Sequence, residues 1–372
     1  MKKILCSVAI ILAFIYACSS EDNNNTGEEG NSDAFDRSAL LINVADNIII
    51  PAYQSFDESM ETLSSAVATF VETTNEENLD LLHSAWEDAY VAWQSVSMFE
   101  IGKAEELSYR NFMNVYPVDA SAIDANIVAG EYDLTSVSKQ DEQGFGALDY
   151  LLNNASNEEI VASFSSEESG MAYKTYLSDV VDRMVHLTDQ VRADWEGDYR
   201  DTFVNNSGAS ATSSLDKLTN DFIFHYEKHL RAGKIGIPAG VFSGDVLADR
   251  VEGYYRQDIS KQLFMANLNA LQDFFNGKYF ESSTTGEGLK TYLDALNTLK
   301  DGESLSEVIN NQFDVSREIA LELNDNFSEQ VTTDNTLMTS TYDALQENVV
   351  FLKVDMLSAL SISVDFIDAD GD

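Results

Sequence analysis

Thr74–Ser97 reads TNEENLDLLHSAWEDAYVAWQSVS. Thr74-Asn75-Glu76-Glu77 has the form of a capping box, with Thr74 at the N-cap and Glu77 three residues on. From there Leu79, Leu82, Trp86, Tyr90, Trp93 and Ser97 recur at three- and four-residue steps, which places them on one face of a long helix. Trp86 and Trp93 lie two turns apart on that stripe, the spacing of large core residues at a helix seam rather than of a ligand platform.

The same period continues outward. Upstream, Leu41, Val44, Ile48, Ala52, Phe56, Leu63, Val67 and Phe70 mark an earlier helix, with a kink or restart expected at Pro51. Downstream, helices are expected over Ala172–Trp195, Leu215–Leu230, Ile259–Asn276, Gly286–Lys300, Ser304–Phe327 and Asn335–Leu360. Tyr109–Ser138 is less regular, and Gly233–Pro238 closes the helix before it. Ile362, Val364 and Phe366 alternate with polar residues, a strand-like tail. Only Pro51, Pro117 and Pro238 interrupt the chain. So few helix breakers predict an all-α fold. After removal of a leader, roughly 350 residues exceed one ordinary core, which suggests two domains or one large bundle. Asn205–Ser214 (NNSGASATSS) is the clearest internal loop, so the expected division is 37–204 and 205–372.

The first residues point to export. Met1-Lys2-Lys3 is a short basic segment, Ile4–Phe14 is apolar, and Ile15-Tyr16-Ala17-Cys18 reads as a lipobox. Residues 1–17 are expected to be a lipoprotein signal peptide, too short to span a bilayer. Cys18 would become the acylated first residue, tying the chain to a lipid bilayer in the cell envelope, with the outer membrane the expected destination. Cleavage also removes Cys6, so no intrachain disulfide can form. Residues 18–36, including SSEDNNNTGEEGNS at Ser19–Ser32, form a polar tether with nothing to bury.

The whole chain has a net charge of −42. Of its 22 Lys and Arg, Lys2 and Lys3 leave with the leader, and 20 remain against 64 Asp and Glu, a net −44. Such a surface repels nucleic acid, so none is expected as a partner. It is compatible with cation binding, but the stronger reading is a solvated surface that keeps an exported protein soluble.

One short segment carries chemical interest. Gly144-Phe145-Gly146-Ala147-Leu148-Asp149-Tyr150-Leu151-Leu152 follows the outline Gly-x-His-x-x-Glu ahead of an apolar pair, with Gly146 at the His position and Asp149 at the Glu position. On a helix these positions share a face and could hold one ion; with Gly146 there is no imidazole to do so. This stretch resembles the hallmark of the imelysin family, peptidase family M75. Other blocks extend the likeness in order. They are Ile50-Pro51-Ala52-Tyr53, then Ala85–Trp93 followed by Phe99-Glu100-Ile101-Gly102, and Tyr116-Pro117-Val118-Asp119 with Ile123-Asp124, where Tyr116 replaces a Trp. Lys234–Pro238 and Asp355-Met356 complete the set. The resemblance implies an all-helical body of two bundle-like domains, a site between them near the motif helix, and an exported protein associated with iron uptake. Some members are described as peptidases.

A metallopeptidase needs a metal with an open position and a general base. The chain has four His, and no His-Glu-x-x-His. His225 and His229 stand at i and i+4, but Lys228 lies beside them and Glu227 is turned away, so a packed pair is preferred over a metal site. Asp149 is the sharpest candidate ligand. With the His position vacant it would need Glu100, Asp119 or Asp124, the acids nearest the matched blocks, to hold a divalent cation or iron. The alternative is a carboxylate that caps a polar cluster. If those acids do form a pocket, Gly146→His should restore metal affinity. Gly146 would be tolerated in its helix if another backbone approached it closely. Asp368-Ala369-Asp370-Gly371-Asp372 imitates the start of a calcium loop without its distal Glu and is expected to be a solvated tail. There is no phosphate loop and no nucleophile elbow.

The expected function is therefore a non-catalytic binding lipoprotein for an unidentified small ligand or cation, linked to iron acquisition. The alternatives are an M75-type metallopeptidase, disfavoured by Gly146, and a helical nutrient-capture lipoprotein, for which no exposed aromatic pattern is evident.

Overall fold

The computed structural model describes residues 35–366. Cys18, the tether up to residue 34 and the acidic tail after residue 366 lie outside the described residues. The described chain is mostly helical, with a two-stranded hairpin of Leu299–Lys300 and Glu303–Ser304 and longer turns over 237–259 and 276–288. No described helix is long and apolar enough to cross a membrane.

Three long helices build the first half: Ile50–Glu72, Glu76–Val96 and Gly170–Glu196, with the first packed against both others. Ser214–Phe224, Ser260–Phe275, Leu305–Leu321 and Asn335–Val350 build the second. Glu76–Val96 also packs on Ser260–Phe275. The core thus runs without a break across the Asn205–Ser214 loop, from Leu40 to Ile362. The loop lies between the helices Tyr199–Asn205 and Ser214–Phe224. Trp86 and Trp93 are buried, as their spacing predicts.

Where the structure departs from the sequence expectations, local chemistry gives the reason. The N-cap is Asn75, not Thr74: the Asn75 carboxamide accepts from the Asn78 N–H at 2.8 Å, while the Thr74 hydroxyl donates back to Phe70 O. Pro51 does not break its helix. The preceding turn, Val44–Ile49, is widened to a π-helix, and the Asn47 carbonyl, four residues before the proline, accepts from the Phe280 N–H at 2.8 Å. The same loop is fastened by the Asn43 amide, which donates to Gly277 O and Glu287 O.

The helix beginning at Ser214 does not stop near residue 230 but runs on as a π-helix, His225–Gly236. The expected helix up to Lys300 ends at Ala295, because Asp301 and Gly302 at φ 53 and 93° form the turn of the hairpin. The tail from Ile362 forms no strand. The Asn220 side chain binds Ser363 O and the Asp365 N–H, taking the place of a neighbouring strand.

Candidate functional site

The motif helix spans Gly144–Asn153. Gly144 has φ +77°, and a Cβ there would lie 2.3 Å from Met113 O. At Gly146 a Cβ would lie 2.6 Å from Val115 O and 2.8 Å from Val118 Cγ1. The Met113–Val118 segment, with a cis bond at Tyr116-Pro117, is laid directly against the helix. The close backbone approach that would tolerate Gly146 is present. An imidazole at 146 would meet main chain, so the position is not an otherwise intact metal site lacking one ligand.

Asp149 is 2% exposed. Its carboxylate accepts from the backbone N–H of Tyr255 at 2.9 Å and of Arg256 at 2.8 Å, and from the Asn153 amide at 3.3 Å. Burial pushes its pKa up to about 7, against the lowering effect of those bonds. The motif acid is a clamp on the turn that carries Tyr254 and Tyr255.

The four acids singled out from sequence are not gathered into one cage. Glu100, beyond the C-terminal end of Glu76–Val96, accepts from the Arg110 N–H at 2.9 Å beside an Arg110–Asp221 ion pair. Burial raises its pKa to about 7, opposed by Arg110. Asp119 is an exposed N-cap of Ala120–Ala129, held below the usual carboxylate range by the Ser121 hydroxyl and the Ala122 N–H. Asp124 is exposed and accepts from the Tyr150 hydroxyl at 2.9 Å. Among the described residues no three His, Cys, Asp or Glu side chains converge as a metal site.

His225 and His229 stack at 5.1 Å. His225 Nε2 lies 3.1 Å from Asn267 Oδ1, and burial drives both rings well below the ordinary histidine pKa. Glu227 turns away from them to Lys228 and Lys353, at 3.1 and 3.0 Å.

Two spaces share Tyr116, the outer of them beside the motif helix. The outer one is a cleft of about 120 Å³ lined by Tyr116, Gly146, Asp149, Asp249, Tyr254 and Tyr255, among others. Tyr116 also lines the inner one, a chamber of about 20 Å³ that includes His225, His229, Lys234 and Glu252. In the chamber Lys234 pairs with Glu252 and donates to Gln94 at 2.9 Å, while Asn114 donates to Glu252 at 2.7 Å. Burial lowers the Lys234 pKa, and Glu252 opposes it. A larger cavity, about 460 Å³, lies elsewhere, between Ile50–Glu72, Glu76–Val96 and Ser260–Phe275. It exceeds the cleft in volume, and its walls mix small residues such as Ala52 and Ala92 with aromatic rings such as Phe99 and Phe280 and charged groups such as Asp88 and Lys278, but no residue of the Gly144–Asn153 helix reaches it. The smaller cleft, where the motif helix meets a tyrosine-lined wall, is the better candidate.

Sequence reasoning missed Tyr254, Tyr255, Asp249 and Glu252. The paired tyrosines after Gly253 were the available signal, but only the fold brings them to Asp149.

The described residues form a mostly helical fold with a cleft beside the motif helix. Residues 49–350 match the family model for imelysin, peptidase M75, and the chain belongs to that family. No curated protein matches the sequence. Two crystal structures share the fold. One, described as an iron-regulated protein A precursor from Parabacteroides distasonis, has a TM-score of 0.72 at 16% identity, over 87% of this chain and 95% of that one. The other, an imelysin-like protein from Psychrobacter arcticus 273-4, has a TM-score of 0.67 at 16% identity, over 89% and 97%.

Proposed function

We propose that this imelysin-family chain is a non-catalytic binding protein of the cell envelope, anchored to the outer membrane by an acylated Cys18 and serving iron acquisition. One observation carries the non-catalytic reading: the motif acid is engaged by two backbone N–H groups while main chain covers the position of the missing imidazole. A metal held there with an open coordination site, as metal-dependent hydrolysis requires, has no ligand set among the described residues. What remains beside the motif is an open cleft whose aromatic rings and few carboxylates suit recognition of a small ligand. The link to iron rests on the description of the Parabacteroides distasonis relative, and the anchor on the lipobox.

The test is a thermal-shift ligand screen on the mature chain, combined with elemental analysis of the purified protein and a proteolysis assay with and without chelator. A ligand whose stabilisation is lost on altering the cleft, with no chelator-sensitive turnover, supports the proposal. Chelator-sensitive proteolysis that disappears in Asp149→Ala overturns it.

A further inference from the structure

We infer that the cleft takes a compact organic cation of the alkylammonium class, seated between Tyr116 and the Tyr254–Tyr255 ledge. The inference rests on the reading of the cleft as the binding site and names the chemistry of its ligand.

The side chains around the cleft narrow the choice. Three tyrosines and two aspartates line it, and among the described residues no Lys or Arg does. Asp249 is exposed and only loosely paired with Arg250, at 3.7 Å. Tyr254 is 37% exposed, and its ring meets Tyr255 edge-on at 5.0 Å. Tyr255 in turn packs on Tyr150 at 5.1 Å, whose hydroxyl is bound by Asp124. The ledge is therefore a connected aromatic wall backed by carboxylates, fixed from beneath by the Asp149 clamp.

The nearby cations are already paired. Lys234 and Arg110 lie in the chamber behind Tyr116, held by Glu252 and Asp221. Arg256 is held by Glu87 at 2.7 Å and Asp258 at 3.2 Å.

An anion entering this cleft would face the exposed Asp249 carboxylate with no basic side chain on its walls. A bare divalent ion would find Asp149 already bonded and the phenols protonated, since burial and nearby carboxylates hold Tyr116 and Tyr255 above their ordinary range. An alkylammonium needs neither free oxygen ligands nor directional donors. Ring faces attract its diffuse charge, carboxylates act on it at longer range, and its methyl groups bury against the rings. A volume of about 120 Å³ suits such a head group rather than a larger metabolite.

The experiment is calorimetric titration of the full mature chain with choline and tetramethylammonium. The comparison probes are 3,3-dimethylbutan-1-ol, the uncharged isostere of choline, and acetate. Choline should bind saturably and about tenfold or more tighter than its isostere, the margin expected of a partly desolvated cation–π site. Tyr255→Leu and, separately, the exposed-site variant Asp249→Asn should each weaken choline, with circular dichroism confirming the fold. Equal binding of the isostere, or preferential binding of acetate, overturns the inference. If neither cation binds while a screened ligand loses its thermal shift in Tyr255→Leu, the binding reading stands and the cationic class is wrong. If Tyr255→Leu affects no ligand at all, both fail.

Discussion

Replacing Asp149 should reveal two opposed contributions from one side chain. In the folded protein the carboxyl pKa is pushed up to about 7, mainly by burial, from a reference of 3.8. A folded pKa above the unfolded one favours the protonated folded state, so this group's stabilisation is complete below about pH 4 and is lost as pH rises through about 7. At about 1.36 kcal/mol per pKa unit, the change is of order 4 kcal/mol across that window. Asp149→Asn removes the titration and should flatten this part of the pH dependence. Asp149→Ala instead strands the Tyr255 and Arg256 N–H groups, at about 1–3 kcal/mol each when buried and unpaired. With an unfolding entropy near 2.1 cal/mol/K per residue, a loss of about 4 kcal/mol lowers Tm by roughly 6 °C in a protein of this size. Urea unfolding followed by tryptophan fluorescence, from about pH 4 to about pH 8, compares wild type with both variants. Parallel curves for wild type and Asp149→Asn over the whole range would refute the buried-acid argument. An unchanged midpoint for Asp149→Ala would refute the clamp.

Three further outcomes are expected. Gly146→His should destabilise the fold by about 1–3 kcal/mol through overpacking against Val115, with no gain in Zn²⁺ or Fe²⁺ affinity by titration. This reverses the expectation from sequence that the substitution restores a site. Lys234→Met should cost about 3–5 kcal/mol in a denaturant melt, because it leaves the Glu252 carboxylate buried without its counter-charge. Cys18→Ala should abolish fatty-acid labelling and membrane partitioning; retention of both would remove the anchor from the proposal.

Much of the helical framework was legible because Leu79, Trp86 and Trp93 must share a face whatever they pack against. Boundaries were less so. Asn75 and Thr74 both cap well in isolation, and only the backbone conformation chooses between them. The π-widened segments were hidden, since a helix that gains one residue per turn changes the apolar pattern very little locally. The site was legible only in part. Gly146 and Asp149 marked the right helix, but the sequence could not show that Val115 fills the space beside the first and that the Tyr255 backbone occupies the second. The acids at 100, 119 and 124 looked equivalent as letters. Their surroundings made one a half-buried neighbour of an ion pair, one a helix cap and one a partner for a tyrosine hydroxyl.

The fastening of the first helix has a consequence for biogenesis. Asn43 is buried and donates to carbonyls at residues 277 and 287, and the Asn47 carbonyl next to Pro51 receives the Phe280 N–H. Those partners are synthesised more than 200 residues later, so the segment that emerges first is among the last to be completed. The growing chain must keep its amino-terminal helix unfinished until the loop near residue 280 emerges, and the order of synthesis runs against the order of closure. A chain ending before that loop would leave both the buried Asn43 amide and the Asn47 carbonyl without their partners.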